Sequence, residues 1–167
     1  MDGLRLRMSI HPYCDKYGLS TAALRVQDLL NYTTIDPMVQ RKLSGGQLRK
    51  IANYLQEREL DHVFFGPVTL SLRDVSALAK VDDHLVLAHG AKLSILDGQH
   101  RILALGYTNE QMLKESRKYE REVKRLKVKC RQNPDDASLR EELEQTEGLL
   151  ANLESRRLDL LESELTV

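Results

Sequence analysis

The chain has 167 residues, of which 41% are hydrophobic and 30% are charged, which allows one modest core and a charged appendage. Its 25 basic and 25 acidic residues cancel, so overall charge does not favour nucleic acid, and any DNA contact requires a local basic patch. Cys14 and Cys130 are isolated, which argues against a disulfide framework or a zinc site. Since no signal peptide or membrane-spanning run is evident, we expect a soluble, cytoplasmic protein without a metal.

The N-terminal third predicts short elements separated by breaks. Weak alternation over residues 4–10 favours an edge strand, and His11-Pro12 favours a loop after it. Residues 22–30 have helical apolar spacing. Ser44 precedes a second amphipathic helix, whose apolar positions are Leu48, Ile51, Ala52 and Leu55. Gly45-Gly46 at its start lacks the Gly-Lys-Ser/Thr ending of a phosphate loop, so we interpret it as an ordinary loop before a helix.

Residues 63–72 are the most strand-like part of the sequence, and Pro67 within them implies an edge position or a bulge. Residues 85–87 predict another short strand, and residues 88–91 resemble a hairpin turn. Together with the helices, these strands predict a small α/β body.

Five consecutive polar residues, Asp97 to Arg101, then interrupt an apolar stretch. Leu93, Ile95 and Leu96 before them favour a buried strand, and the apolar face after them favours a helix, so the five residues form a strand-to-helix turn. Such a turn directs backbone N–H groups and the positive end of a helix into one space, which suits a phosphate.

The side chains of this turn offer several kinds of chemistry. Arg101 could clamp an anion in bidentate fashion, and Gln99 offers an amide. His100 could donate a hydrogen bond, serve as a ligand or act as a general base. Asp97 could cap the helix or bind a metal or a ribose hydroxyl. A purely structural turn needs only Asp97 and Gly98, and the three further polar residues favour a functional site.

The run from Ile95 to Leu105 resembles the signature of the DGQHR-domain family, which contains the DndB-like DNA sulfur modification proteins. The five-residue signature is matched without substitution, and the resemblance extends to Gln40-Arg41 and to residues 51–55 and 66–72. By weaker analogy the family is related to ParB-like and sulfiredoxin-like domains, whose equivalent turn binds nucleotide phosphates. Sulfiredoxin has a cysteine where Gln99 stands, so its thiol chemistry is not implied.

After Asn109 the pattern changes to two heptad seams separated by Asn133-Pro134-Asp135-Asp136. The first seam contains Met112, Ser116, Tyr119, Val123, Leu126 and Cys130, and the second contains Leu139, Leu143, Thr146, Leu150, Leu153, Arg157 and Leu160. Because Pro134 must interrupt the first helix, we predict an antiparallel coiled-coil hairpin.

The two arms of the hairpin carry opposite charges. Residues 114–131 contain nine Lys or Arg against three Glu, a balance of +6, whereas residues 135–164 contain ten acids against three Arg, a balance of −7. This asymmetry favours pairing between unlike arms. A solvent-exposed charged hairpin explains most of this charge asymmetry. The more specific alternative is that the basic arm contacts DNA.

The predicted fold is therefore α/β (α+β), a small ParB/sulfiredoxin-like mixed-sheet body with an inserted antiparallel helical hairpin. The predicted parts are the body at residues 1–108, the hairpin at 109–164 and the start of a following strand at 165–167. Since a strand follows the signature helix in related domains, we expect the chain to be a fragment of a longer protein.

Three functions stay open. The first, implied by the resemblance, is a DndB-like regulator that binds double-stranded DNA and controls transcription of the phosphorothioate modification genes. Under it the turn at residues 97–101 contacts DNA phosphates, or holds the fold that presents Arg41, Lys42, Arg49 and Lys50 to the duplex.

The second is a nucleotide-binding or hydrolysing domain with nucleotide and Mg²⁺ as cofactors. Gly98 and Arg101 would then lie at the phosphates, His100 would act as acid or base, and Asp97 would lie near a metal or ribose. The third is a structural module whose hairpin joins subunits. We expect no catalysis outside the turn.

Overall fold

The structure, a computed structural model, describes residues 4–6, 11–14, 17–36, 44–58, 65–81 and 84–167. Within these ranges the helices are α1 (Val26–Tyr32), α2 (Gly45–Glu57), α3 (Gln99–Gln132) and α4 (Ala137–Glu162). The strands are β1 (Leu4–Leu6), β2 (His11–Cys14), β3 (Tyr17–Leu19), β4 (Ala23–Arg25), β5 (Thr33–Ile35), β6 (Thr69–Ser71), β7 (Leu78–Val81), β8 (His84–Leu87), β9 (Leu93–Asp97) and β10 (Glu164–Thr166). A 3-10 turn, Val75–Ala77, precedes β7.

β9 is the central strand of the sheet that leads into the predicted turn. It pairs in parallel with β5 and antiparallel with β6, so that Ile95 lies opposite both Ile35 and Leu70. A second sheet has the order β1-β8-β7 and is antiparallel throughout. The body is therefore mixed α/β with small sheets, as predicted, while its likeness to ParB or sulfiredoxin stays a prediction.

Two hydrophobic clusters join the sheets to the helices. The first gathers Leu93 and Ile95 of β9 with Leu29 of α1, Leu87 of β8 and Ile102 of α3. The second gathers buried side chains from all four helices, namely Val26, Leu55, Ala104, Leu105, Met112 and Leu160. Since both clusters contain α3, the helix that follows the turn packs against most of the body.

α3 and α4 form an antiparallel hairpin. Cys130 near the end of α3 lies against Leu139 near the start of α4, and Asn109 in the first third of α3 is bonded to Arg157 near the end of α4. All the predicted seam positions are buried or half-buried. The connection contains Pro134, as predicted, and supercoiling of the two helices stays a prediction.

α3 is continuous over 34 residues, which corresponds to about 51 Å. The boundary predicted at residue 109 therefore lies inside a helix that belongs to both the body and the hairpin. The buried positions of Met112 and Leu160 place the base of the hairpin in the second core cluster.

The C-terminal strand β10 pairs antiparallel with β4. The N–H of Val68 also donates to Thr166 O at 3.0 Å, which links the segment before β6 to the same strand. Arg25 of β4 bonds to Asp28 and to Glu162 of α4, both at 3.1 Å. These bonds, foremost the one to Asp28, raise the pKa of Arg25.

Several local predictions were wrong. Ala23–Arg25 is a strand rather than the start of a helix, because it pairs with β10, a partner about 140 residues away that local periodicity cannot show. His11–Cys14 is a strand rather than a loop, because a strand at the edge of a sheet tolerates a proline such as Pro12.

Between residues 63 and 72 only Thr69–Ser71 forms a strand, and residues 63 and 64 lie outside the described residues. The turn at 88–91 forms but joins strands of different sheets, so it is not a hairpin. Leu96, predicted to be buried, is 43% exposed because it lies at the end of β9, where the sheet gives way to the turn. No helix among the described residues is both long and apolar enough to cross a membrane.

Candidate functional site at the strand-to-helix turn

The predicted turn spans the junction of β9 and α3: Asp97 ends β9, Gln99 to Arg101 lie in the first turn of α3, and Gly98 between them makes the turn possible. Gly98 has φ +89°, in the left-handed region, and its carbonyl accepts the first helical hydrogen bond, from Ile102 N at 3.0 Å. A Cβ added at Gly98 would lie 2.4 Å from Cγ1 of Val68. Only glycine therefore satisfies both the backbone conformation and the contact with the segment before β6.

Arg101 is bonded on several sides within the protein. Its Nη1 donates to Gly66 O at 2.5 Å and to Pro67 O at 2.8 Å, and its Nη2 donates to Asp97 Oδ2 at 2.8 Å. The side chain of Arg101 is 21% exposed, whereas that of Asp97 is 74% exposed. Arg101 therefore fastens the segment before β6 to the first turn of α3.

His100 connects the turn to the start of α2. Its Nε2 accepts a hydrogen bond from the backbone N–H of Ser44 at 3.1 Å, which requires that nitrogen to be unprotonated. Ser44 is the N-cap of α2, and its Oγ accepts from Gln47 N at 3.4 Å. The imidazole thus satisfies a backbone donor just before the helix begins.

The two remaining residues of the turn face different surroundings. Gln99 is buried, at 6% exposed, while the carboxylate of Asp97 is held by Arg101. Asp97 does not cap α3, since its N-cap is Gly98 and has no side-chain cap bond. Among the described residues, no group of three or more His, Cys, Asp or Glu is arranged to hold a metal ion.

α2 is fixed at its other end by the hairpin. Nη2 of Arg156 in α4 donates to three carbonyl oxygens at the C-terminus of α2, those of Leu55 (3.0 Å), Gln56 (2.6 Å) and Arg58 (2.8 Å). A cation here also complements the negative end of the helix. Sequence reasoning missed this role, because nothing local relates residue 156 to residues 55–58.

The predicted DNA-contacting residues fall into two groups. Arg49 and Lys50 are exposed on α2, where they are available to a ligand. Nε of Arg49 donates to Gly45 O at 3.3 Å. Arg41 and Lys42 lie outside the described residues. Arg49 and Lys50 thus lie on α2, the helix that contacts the turn at its start and Arg156 at its end.

A polar groove of about 530 Å³ lies between α2 and α3, and sequence reasoning also missed it. It is lined by Arg49, Asn53 and Gln56 of α2 and by Tyr107, Gln111, Lys114, Glu115 and Lys118 of α3. Spacings of three and four residues place each set on one helix face, a signal that the sequence contains. Only the packing of α2 against α3 shows that the two faces meet.

The chain matches the model of the DndB family, described as DNA-sulfur modification-associated, over residues 19–130. It belongs to this family. Neither a curated protein nor a solved structure matches the chain. Family membership associates the protein with DNA sulfur modification and confirms the resemblance carried by the turn.

The part of the chain that matches the DndB family contains α2, the turn and α3 as far as Cys130. It therefore includes the groove and nearly all of the basic arm, while α4 and β10 lie beyond it. The match also covers α1 and the strands from β4 to β9.

Proposed function

We propose that the protein is a DNA-binding regulator of the DNA sulfur modification system, which acts on double-stranded DNA in transcriptional control of the modification genes. The observation that carries the proposal is the surface of α3. All nine basic residues of its basic arm are exposed, and they are Lys114, Arg117, Lys118, Arg121, Lys124, Arg125, Lys127, Lys129 and Arg131. Exposed cations along one helix suit the phosphates of a duplex.

The acidic arm modifies this surface without cancelling it. Lys127 pairs with Glu147 of α4 at 2.7 Å, and Arg125 pairs with Glu122 of its own helix. Exposed pairs of this kind contribute only about 0 to 1 kcal/mol each, so phosphates can replace the carboxylates at small cost. The basic arm thus keeps its capacity to bind DNA.

Under this proposal the DGQHR turn, residues 97–101, is a scaffold that presents α2 and α3 to DNA. Arg101 and His100 use their polar atoms to fasten the segment before β6 and the start of α2 to the start of α3. This arrangement supports the presentation of Arg49 beside Lys114 and Lys118 of the basic arm, with Lys50 exposed on the same helix as Arg49. It gives less support to nucleotide hydrolysis at the turn, because Arg101 already has three internal acceptors.

The test is a comparison of duplexes of equal length, measured by fluorescence anisotropy. One duplex carries the region upstream of the modification genes, one has an unrelated sequence, and a third repeats the first with phosphorothioate linkages. We expect tighter binding of the upstream duplex than of the unrelated one, and a further change on sulfur substitution. Equal, weak binding of all three would contradict a regulatory role in this system.

A matched pair of variants locates the surface. Replacement of Lys124 and Lys129 by Gln should weaken binding of every duplex about equally, because phosphate contacts carry no sequence information. Arg140→Gln on the acidic arm removes one exposed charge, as Lys124→Gln alone does, and should leave binding nearly unchanged where Lys124→Gln weakens it. The reverse order would move the DNA surface to α4.

A further inference from the structure

The groove between α2 and α3 has a lining unlike that of the basic arm as a whole. Three of its side chains are cationic, three are neutral amides, one is the phenol ring of Tyr107 and one is the carboxylate of Glu115. Tyr107 is 38% exposed, so part of its ring is open to solvent. The lining therefore offers charge, hydrogen bonds and an aromatic surface together.

The arrangement along the helices separates these chemical groups. On α3, Tyr107 lies about 10 Å from Lys114, two turns away, and Lys118 lies one further turn along. On the facing wall, Arg49 provides a guanidinium and Asn53 and Gln56 continue the same face. A ligand that spans this groove meets an aromatic ring at one part and cations at another.

We propose that this groove binds a single nucleotide unit of an unpaired DNA strand. Its phosphate bonds to Arg49, Lys114 and Lys118, its base lies against Tyr107, and the amides of Asn53, Gln56 and Gln111 bond to base edges. A positive groove with an exposed aromatic ring is the arrangement by which proteins hold single strands. The volume of about 530 Å³ lies within the usual range of small-ligand sites, about 300 to 1,000 Å³.

The choice of a DNA strand as the ligand rests on the proposed function. The groove adjoins the basic arm, since Lys114 and Lys118 are also the first and third cations of that arm. A strand that follows the arm along α3 therefore reaches the groove without leaving the positive surface. A free nucleotide has the same phosphate and base, so the experiment includes it as a separate ligand.

Glu115 provides a test of the sign of the ligand's charge. Its carboxylate lies in the groove beside the cations and repels a phosphate. Glu115→Gln should therefore tighten the binding of an oligonucleotide, by about twofold or more. Weaker binding in this variant would overturn the assignment of an anionic ligand.

The main experiment measures the affinities of a labelled oligothymidylate, a duplex of the same length and a free thymidine nucleotide at one fixed salt concentration. The groove variant carries Arg49→Gln, Lys114→Gln and Lys118→Gln, and the control variant, with equal charge removed outside the groove, carries Lys124→Gln, Lys129→Gln and Arg131→Gln. A third variant is Tyr107→Leu. All these side chains are exposed, and circular dichroism with thermal unfolding verifies that each variant folds.

We expect the groove variant and Tyr107→Leu each to lose roughly tenfold or more in affinity for the single strand, because base stacking and phosphate contacts are both removed. The control variant should lose severalfold less. Tyr107→Leu should bind the duplex as wild type does. Equal losses in the groove and control variants, or an unchanged Tyr107→Leu, would overturn the proposal.

Failure of this inference is distinguishable from failure of the proposed function. Wild type that binds the duplex, with single-strand binding unaffected by the groove substitutions, would overturn the groove and leave the proposed function. Wild type that binds the free nucleotide through the groove but no DNA would support the groove as a nucleotide site, and would overturn both the DNA strand as its ligand and the proposed function. Wild type that binds none of the three ligands overturns both.

Discussion

Two requirements coincide at Gly98, a left-handed backbone and the lack of space for a Cβ. Gly90 also has a positive φ, +82°, but an added Cβ there meets none of the described atoms within 4 Å. Comparison of the two glycines therefore separates the free-energy cost of a left-handed backbone from the cost of a clash with a neighbouring side chain. The close approach of Val68 to Gly98 joins the segment before β6 to the turn, together with the bonds from Arg101 to Gly66 and Pro67.

Gly98→Ala should lower the free energy of unfolding by about 2 to 5 kcal/mol, from the left-handed conformation and from the clash with Val68. Gly90→Ala, the control, should cost only about 1 to 2 kcal/mol. Urea unfolding followed by circular dichroism measures both. Equal losses in the two variants would show that the contact with Val68 is unimportant.

The substitution of Arg101 tests the scaffold role of the turn. Arg101→Ala should lower the free energy of unfolding by about 1.5 to 3 kcal/mol, because charge-assisted bonds to Gly66 and Pro67 are lost. Asp97→Asn should cost less than about 1 kcal/mol, since the carboxylate is exposed. Denaturant titration of both variants checks the difference. An Arg101→Ala protein of unchanged stability would contradict a structural role and favour a ligand contact instead.

At the scale of elements, α2 depends on side chains that are distant in sequence. His100 satisfies the backbone N–H of Ser44 before its first turn, and Arg156 satisfies three carbonyls at its end. A helix of 13 residues gains little stability in isolation, so these contacts and its buried Ala52 and Leu55 decide its position.

Arg156→Met keeps much of the aliphatic stem but removes the donor to α2, and should lower the free energy of unfolding by about 1 to 2 kcal/mol. Arg121→Met is the matched control and should be nearly neutral. Among the residues that the structure describes, Nε of Arg121 donates only within its own helix, to Arg117 O at 3.1 Å. Hydrogen exchange of the last turn of α2 gives the local readout. Unchanged protection there in Arg156→Met would refute the contact.

Sequence patterns predicted the elements that have a local signal in the sequence. The turn at residues 97–101, the helix after Ser44 and the two seams of the hairpin follow from periodicity, Gly98 and Pro134, and each is found. Short strands such as β4 and β5 escaped prediction, since their hydrogen-bond partners lie in β10 and β9. Three-residue strands carry too little periodicity to compete with helical spacing nearby.

The candidate site was predicted in part. The turn was located from its five polar residues, but their engagement in bonds to Ser44, Gly66 and Pro67 depends on tertiary structure. Polar residue types alone do not distinguish a ligand-binding turn from a turn that fastens neighbouring segments. For the same reason the groove became visible only once α2 and α3 were placed side by side.

For the whole molecule, the hairpin has a base within the core and a distal part outside it. Removal of residues 121–148, with a short Gly/Ser connection, keeps Met112, Arg156 and Leu160, so the protein should still unfold cooperatively. Removal of residues 109–162 takes all three away and should abolish cooperative unfolding. Calorimetry on the two deletions measures this, and a cooperative transition in the larger deletion would show that the body is independent of the hairpin.

The most direct test of the central claim, that exposed cations of α2 and α3 bind the phosphates of duplex DNA, is the salt dependence of affinity. We predict that log K falls linearly with log salt concentration, and that Arg49→Gln with Lys50→Gln makes the slope shallower by about 2, since each phosphate contact contributes about 0.9. Fluorescence anisotropy at several salt concentrations gives both slopes. An affinity that does not change with salt, or a slope unaltered by the two substitutions, would contradict the claim.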